Sequence, residues 1–454
     1  YRPDLMAVVV VGDITTEAAE ALIRKHFAGM KNPANPRERK YAPVAPYAAN
    51  EVMILTDKEA SSSEVAINFP AFVAEPSSTV EDYRNSILRG LFTRMFNQRL
   101  QELTQKENPP FNFGGSGFGS YARGYDAFSV FAGVGTGDVK KATQSLLEEI
   151  ERVKRFGFTA TELERSKKTT LSNYERSYNN RDKTESANYV NEYVNYFLKN
   201  DPTPGIEYEF EKVKELLPGV TIEEVNALVN KYIKGVENRF TYITQPEPKA
   251  GEKLATEEEI LAFFPAAEKA DIKAYEDKAV ASSLLETKPK AGAVTATKKN
   301  AALGTTELTL SNGIKVTLKS TDFKADQILM SSVRPGGKNN YGVADKFHAE
   351  YAVPVVTSMG VGEFSPVDLR KVLAGKTVQV NPFFTAASEG VRGSSTVKDL
   401  EAMFQLTWLT FTSPRMDTSL FKSFVQRNMS QYAMMGANPQ FAFIDTLYSE
   451  LYSN

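Results

Sequence analysis

The sequence predicts an α+β protein built of repeated domains, each a mixed, mainly antiparallel sheet layered against helices. Three observations carry this reading. Strand-like and helix-like stretches follow one another in mixed order along the chain. A block rich in Ala, Lys, Glu and Thr separates two regions of globular composition. Residues 138–168 align without a gap on residues 396–426, with a shared helix, break, helix spacing that points to a duplicated unit. A length of 454 residues fits two or three domains.

The elements follow in order. Residues 5–11 are a continuous apolar run between Pro3 and Gly12-Asp13, the pattern of a strand buried on both faces. Thr15 or Thr16 caps a helix that runs to Phe27. The Pro-rich stretch 32–47 reads as an extended link. Residues 52–55 and 65–69 predict strands, and 80–106 a long helix with Ile87, Leu91, Met95, Leu100 and Leu103 on one side. Residues 113–122 and 127–134 predict a strand pair around the turn-rich Arg123-Gly124-Tyr125-Asp126. Helices are expected at 139–154, at 161–197 with breaks, and at 222–233, before a strand at 239–244. Thr256 to Glu259 fits a capping box inside the segment 246–304, and 287–303 reads as a flexible tether. Two alternating strands flank Ser311-Asn312-Gly313, a strong hairpin signal, and a strand follows at 327–333. Helices are expected near 344–359, 366–374, 397–411 and 418–434.

Bulk composition narrows the function classes. Net charge is −2 and the pI about 6.1, with no basic stripe, so nucleic acid is not an expected partner. The chain has no cysteine, which excludes disulfides, Cys-ligated zinc and thiol catalysis and leaves the compartment open. No apolar run is long enough to predict a transmembrane helix. The first residues lead straight into an apolar run and the last stop inside a helical pattern. Polypeptide beyond both ends is therefore expected.

Several segments resemble the insulinase/pitrilysin-like zinc metallopeptidases, the inverzincins. They are Tyr1-Arg2-Pro3-Asp4 with the apolar run, Gly12-Asp13 and a helix ending His26-Phe27; Leu310-Ser311-Asn312-Gly313-Ile314-Lys315-Val316; Val333-Arg334-Pro335-Gly336-Gly337; and Met359-Gly360-Val361-Gly362-Glu363. Their order and spacing cover nearly the whole chain. The resemblance implies repeated metallopeptidase-like domains. Residues 1–49 would be the C-terminal part of a truncated catalytic-type domain, and 50–246 a complete second α+β domain. Residues 247–304 would be a partly helical, hinge-like linker, and 305–454 a third α+β domain truncated at its end. The family's chemistry uses His-x-x-Glu-His, two His on zinc and a Glu as general base on the bound water, with a later Glu completing the ligand set. All four would lie ahead of residue 1.

The chain would then be a non-catalytic middle portion of a zinc-dependent endopeptidase working in a two-half chamber. No catalytic, cofactor-binding or metal-ligating residue is expected within it, and zinc is expected only in the parent protein. Expected partners are the parent's peptide substrates and the other parts of the same protein, with self-association through cut surfaces. A periplasmic or extracytoplasmic location is implied by resemblance alone. The rival reading is a catalytically inactive partner or scaffold subunit of the same superfamily; an independent binding module is the weaker third.

Three stretches invite a site and read better as structure. His26 ends an amphipathic helix among basic residues. His348 and Glu350 are two apart, so on a helix they diverge by about 200° and cannot share a metal. The positions matching the zinc motif read Tyr351-Ala352-Val353-Pro354-Val355, and Pro354 is expected to disturb the helix. Phe113-Gly-Gly-Ser-Gly-Phe-Gly-Ser120 is followed by a strand, not the helix a phosphate cradle needs, so its glycines mark bulges or close backbone approach. The mixed charges of Glu162, Glu164, Arg165, Lys167 and Lys168 predict a solvated face. Tyr174, Tyr178, Tyr189, Tyr193 and Tyr196 are expected to pack.

Overall fold

The computed structural model describes residues 2–234, 238–248, 251 and 253–452. Tyr1 and Asn454, at the limits of the expected units, and Lys249, Ala250 and Glu252 of the expected linker lie outside them. The first segment holds one helix, α1 (Thr16–Phe27), capped by Thr15 Oγ1, which accepts from the Ala18 amide at 3.2 Å. The strand expected at 5–11 does not form. A short 3-10 turn at Pro3–Leu5 leads into unpaired chain, with Val8 43% and Val10 49% exposed. β-branched residues favour a pleated strand only where a sheet edge offers ladder partners. None of the described sheets takes this segment.

Residues 51–246 carry a six-stranded sheet: β1 (Glu51–Asp57), β2 (Ser63–Asn68), β3 (Phe72–Val73), β4 (Phe113–Ala122), β5 (Tyr125–Gly135) and β6 (Phe240–Pro246). The order is β1-β6-β2-β5-β3, with β4 also on β5. β1 and β6 run parallel and the other pairs antiparallel. The helices of this region are α2 (Val80–Leu103), α3 (Val139–Phe156), α4 (Ala160–Asn179), α5 (Ser186–Lys199), α6 (Ile206–Leu216) and α7 (Ile222–Val229). The expected 161–197 helix is thus two, parted by a 3-10 turn at Arg181–Lys183. Inward positions of β5 recur at every second residue, with Phe128, Val130, Ala132 and Val134 buried. α3 answers at helical spacing with Ala142, Leu146, Ile150 and Val153. Phe92 sits 5.4 Å from both Phe128 and Phe158, edge to face, at the centre of this core.

The glycine-rich stretch is explained by the β4–β5 ladder. Phe113 stands opposite Gly133 and Gly115 opposite Phe131. A Cβ on Gly133 would come 2.0 Å from the Phe113 ring, and one on Gly115 would come 2.7 Å from Phe131. Each ring lies across the opposing strand where only hydrogen leaves room.

The expected linker is more ordered than its composition suggests. α8 (Glu257–Lys269) starts in the capping box read from Thr256 and Glu259. The expected tether at 287–303 contains β7 (Val294–Asn300), antiparallel to β8 (Thr305–Leu310). β8 turns at Ser311-Asn312-Gly313 into β9 (Lys315–Lys319), completing a three-stranded ribbon. Its threonines suit an exposed pleated ribbon that needs few large apolar groups, so aliphatic content hid the strand.

A second three-stranded sheet joins β10 (Ile328–Pro335), β11 (Val378–Phe384) and β12 (Ser388–Ser395) in the order β10-β12-β11. With it come α9 (Lys346–Ser358), α10 (Pro366–Val372), α11 (Leu400–Thr412), α12 (Thr418–Ala437) and α13 (Pro439–Tyr452). α9 runs through Pro354, contrary to expectation. A proline deletes one ladder bond without forbidding the helix. The β11–β12 hairpin was not legible as strands.

The duplicated unit is visible in the ladders. β2-β5-β4 and β10-β12-β11 have the same order and the same antiparallel sense. α4 and α12 are each 20 residues long and begin at aligned positions, Ala160 and Thr418. The gapless alignment fails on the helix before them. α3 ends at Phe156 and α11 at Thr412, because the connector Gly157–Thr159 is lengthened by two residues to Ser413–Asp417. Leu146, Ile150 and Val153 therefore correspond to Ala402, Leu406 and Leu409, all buried. The gapless alignment would instead set Phe404, Trp408 and Phe411 opposite them, and these fall on the exposed side of α11.

Candidate functional site

The two histidines stay apart from any ligand group. His26 is exposed in the last turn of α1. His348 is exposed on α9 with Nδ1 3.3 Å from Asp345, while Glu350 points to Lys338 at 2.6 Å. Their separate partners agree with the helical divergence read from their spacing. Among the described residues no group of three or more His, Asp or Glu converges to hold a metal.

The densest chemistry lies where the expected linker crosses between the two sheet systems. Arg99 of α2 is 2% exposed and donates from Nε and Nη2 to the two oxygens of Glu162, at 2.7 and 2.8 Å. Glu162 also accepts from the Thr159 amide as the third residue of α4's capping box. A second buried carboxylate, Glu149, lies 3.6 Å from Arg99 Nη1 and pairs with Arg152. Burial pushes the Glu149 carboxyl up, against the pull of Arg152 and Arg99.

Residues 267–277 are strapped across this cluster. Arg155 donates to the carbonyls of Ala267, Glu268 and Ala270, and Arg152 to that of Lys273 at 3.0 Å. The Tyr275 ring covers Arg99 at 4.3 Å and its hydroxyl donates to Glu102 at 2.9 Å. Asp277 then joins both sheet systems, with Arg165 of α4 at 2.8 Å, Lys371 of α10 at 2.9 Å, and Thr161. Burial raises the Asp277 carboxyl, but the hydrogen bonds from Thr161, Lys371 and Arg165 outweigh it and hold the group below the usual aspartate range. Leu284 follows, buried among Phe364, Ala402, Leu406 and Leu409. The hinge-like linker of the sequence reading is thus anchored on both sides.

The duplicated helices complete the junction reciprocally. Ser172 of α4 meets Thr377, the residue before β11, at 3.3 Å. Its aligned counterpart Ser430 of α12 accepts from Asn112, the residue before β4, at 3.2 Å, and from the Thr136 amide at 3.1 Å. Equivalent positions exchange equivalent contacts, as across a twofold axis. Gly375 shows how close the approach is. Its φ of +81° already favours glycine, and a Cβ there would come 2.8 Å from Lys168.

Sequence reasoning missed this junction. Glu162 and Arg165 sat in a charge run read as solvated; Glu164 and Lys168 are exposed as expected, and half-buried Lys167 pairs with Glu164 at 3.1 Å. The legible signal was the capping box Thr159 to Glu162. The tyrosines divide: Tyr178 stacks on Phe210 at 5.0 Å, whereas Tyr193 and Tyr196 are exposed.

Comparison with known proteins gives the setting. Residues 1–170 match the Peptidase M16 inactive domain. The chain is 28% identical over 371 residues to an Arabidopsis thaliana zinc protease PQQL-like, covering 81% of this chain and 36% of that protein. It is 24% identical to the probable zinc protease PqqL of Escherichia coli, covering 100% of this chain and 48% of that one. The chain therefore spans about half or less of the length of these relatives. In structure it resembles the periplasmic protease PqqL from Escherichia coli (TM-score 0.51, 20% identity, 97% of this chain and 48% of that). It also resembles the ferredoxin protease FusC in complex with Arabidopsis ferredoxin (TM-score 0.56, 21% identity, 96% and 48%). Among the described residues no helix is long and apolar enough to cross a membrane. The chain is an α+β protein similar to the insulinase/pitrilysin-like zinc metallopeptidases, and its first 170 residues carry the match to the Peptidase M16 inactive domain.

Proposed function

We propose that this chain is the non-catalytic middle portion of a zinc-dependent endopeptidase that cleaves peptides inside an enclosed chamber of two halves. The carrying observation is the inactive-domain match in a chain whose relatives are zinc proteases about twice its length or more. The exposed apolar side of residues 5–30, including Leu5, Met6, Val8, Leu22 and Phe27, supports a further packing partner for this segment. In this reading the chain supplies chamber wall and the fastened junction between units. The zinc ligands and the general base lie elsewhere in the parent, and the location is periplasmic or extracytoplasmic. The partners are the rest of the parent protein and its peptide substrates.

Two measurements test this. The purified chain should bind no stoichiometric zinc and show no chelator-sensitive peptide hydrolysis; either activity contradicts the proposal. Reading the gene ahead of Tyr1 should reveal His-x-x-Glu-His and a later Glu. A degenerate motif there moves the protein to the inactive scaffold reading.

A further inference from the structure

A cavity of about 950 Å³ opens beside the Asp277 junction, between α2 and β4 on one side and α10 and the start of β11 on the other. Its wall carries five cations, Arg89, Arg94, Arg165, Arg370 and Lys376, against one carboxylate, Asp126. Two of the five are already matched within the protein: Arg89 pairs with Glu75 at 3.4 Å and Arg165 with Asp277 at 2.8 Å. Arg94 and Arg370 are different. Neither side chain forms an ion pair or hydrogen bond with any described residue.

Arg370 has Nε and Nη2 buried without a partner. Glu102, the carboxylate that acts on it, is taken up by the Tyr275 hydroxyl. Burial pushes the Arg370 guanidinium below its ordinary value, while Arg94 stands exposed at the mouth of the cavity. A desolvated cation without counter-charge is costly, and like charges sharing one cavity add repulsion. Neutral polar groups, among them Thr93, Asn97, Gln98 and Thr169, line the rest together with apolar ones such as Phe118 and Leu369. Two planar guanidinium forks in such a cavity match the geometry of carboxylate or phosphate.

We propose that this cavity binds a ligand bearing two or more oxyanion groups, carboxylates or phosphates, held between Arg94 of α2 and Arg370 of α10. Such a ligand bridges the two sheet systems and neutralises the unpaired cations. The inference does not depend on the protease reading.

Calorimetric titration of the full chain at low ionic strength, with sodium pyrophosphate and with an acetylated, amidated triglutamate peptide, tests it. At least one probe is expected to bind, and at least about tenfold more weakly to Arg94→Gln and to Arg370→Gln, the scale of a lost charge-assisted contact. Pyrophosphate alone assigns the site to phosphate, the peptide alone to carboxylate, and either supports the proposal. Arg94→Lys keeps the charge and loses the fork, so it is expected to bind more weakly than wild type. Arg94 is exposed at the cavity mouth, so its variants keep the fold even where Arg370→Gln does not. Absence of binding by both probes, or unchanged binding by folded Arg94→Gln, overturns it.

Discussion

The unit around β2-β5-β4 and the unit around β10-β12-β11 share a ladder and a following helix pair, yet they are filled differently. The first buries a continuous core from Val65 through Phe92, Phe96 and Phe128 to Ile243. In the second, the buried cluster is Leu284, Phe364, Ala402, Leu406 and Leu409, and one of these, Leu284, comes from the chain just after the strap. Aligned α4 and α12 show the same contrast: Leu163 is buried, Phe421 is exposed. α11 is apolar on both sides, burying Leu406 and Leu409 while exposing Phe404, Trp408 and Phe411. Strand order and helix spacing can thus be inherited without the packing. The second unit gains part of its order from the strap and from its reciprocal contacts with the first.

This comparison can be broken at graded cost. The largest effect is expected from Arg99→Ala, which leaves Glu162 a buried charge without its cation; a loss of about 3–5 kcal/mol in urea unfolding is the scale for such a break. Next come the aligned pair Ile150→Ala and Leu406→Ala. The first should cost ~3–4 kcal/mol in its dense core, and the second nearer ~2 kcal/mol where thin packing can relax. Trp408, the single tryptophan, reports the second unit by fluorescence, and circular dichroism reports the whole chain. Coincident transitions are expected, since the strap couples the units.

Asp277→Asn should cost about 1–3 kcal/mol, with Trp408 fluorescence changing before the bulk of the dichroism. The same carboxylate sets a pH dependence. Its folded value lies below the unfolded one, so its contribution is present above the ordinary aspartate range and is lost as pH falls through the lowered folded value. Glu149, raised by burial, works in the opposite direction, contributing at low pH and fading as pH rises. Acid unfolding of Asp277→Asn should therefore be less steep than that of wild type. The smallest effect is expected from Phe411→Ser, within about 0.5 kcal/mol, because that ring already faces outward.

Much of the frame was legible. The β8–β9 turn, the long α2 with its apolar side, the capping box of α8 and the close-approach glycines of β4 all follow from local rules. The first strand was overread because an apolar run states a preference and not a partner. β7 was missed because an exposed ribbon strand needs few aliphatics, and the β11–β12 hairpin because Pro382 in one strand and the glycines and serines of the other hide the alternation. The gapless repeat was shifted on α11 because helical periodicity tolerates a two-residue slip when both sides of a helix are apolar. The junction was illegible for another reason. Arg99, the stretch holding Glu149 and Glu162, and the stretch holding Tyr275 and Asp277 are far apart in the chain, and only the fold makes them neighbours.

The central claim is that the two units are fastened reciprocally into one body. The absence of native cysteine makes a double substitution a clean test. Ser172→Cys with Thr377→Cys places thiols where the hydroxyls stand 3.3 Å apart, within reach of a disulfide if the backbones are as close as they stand here. Mild oxidation of the full chain should cross-link nearly all molecules, with unfolding still coincident by both probes. Failure to cross-link in a folded, monomeric chain would contradict the reciprocal junction.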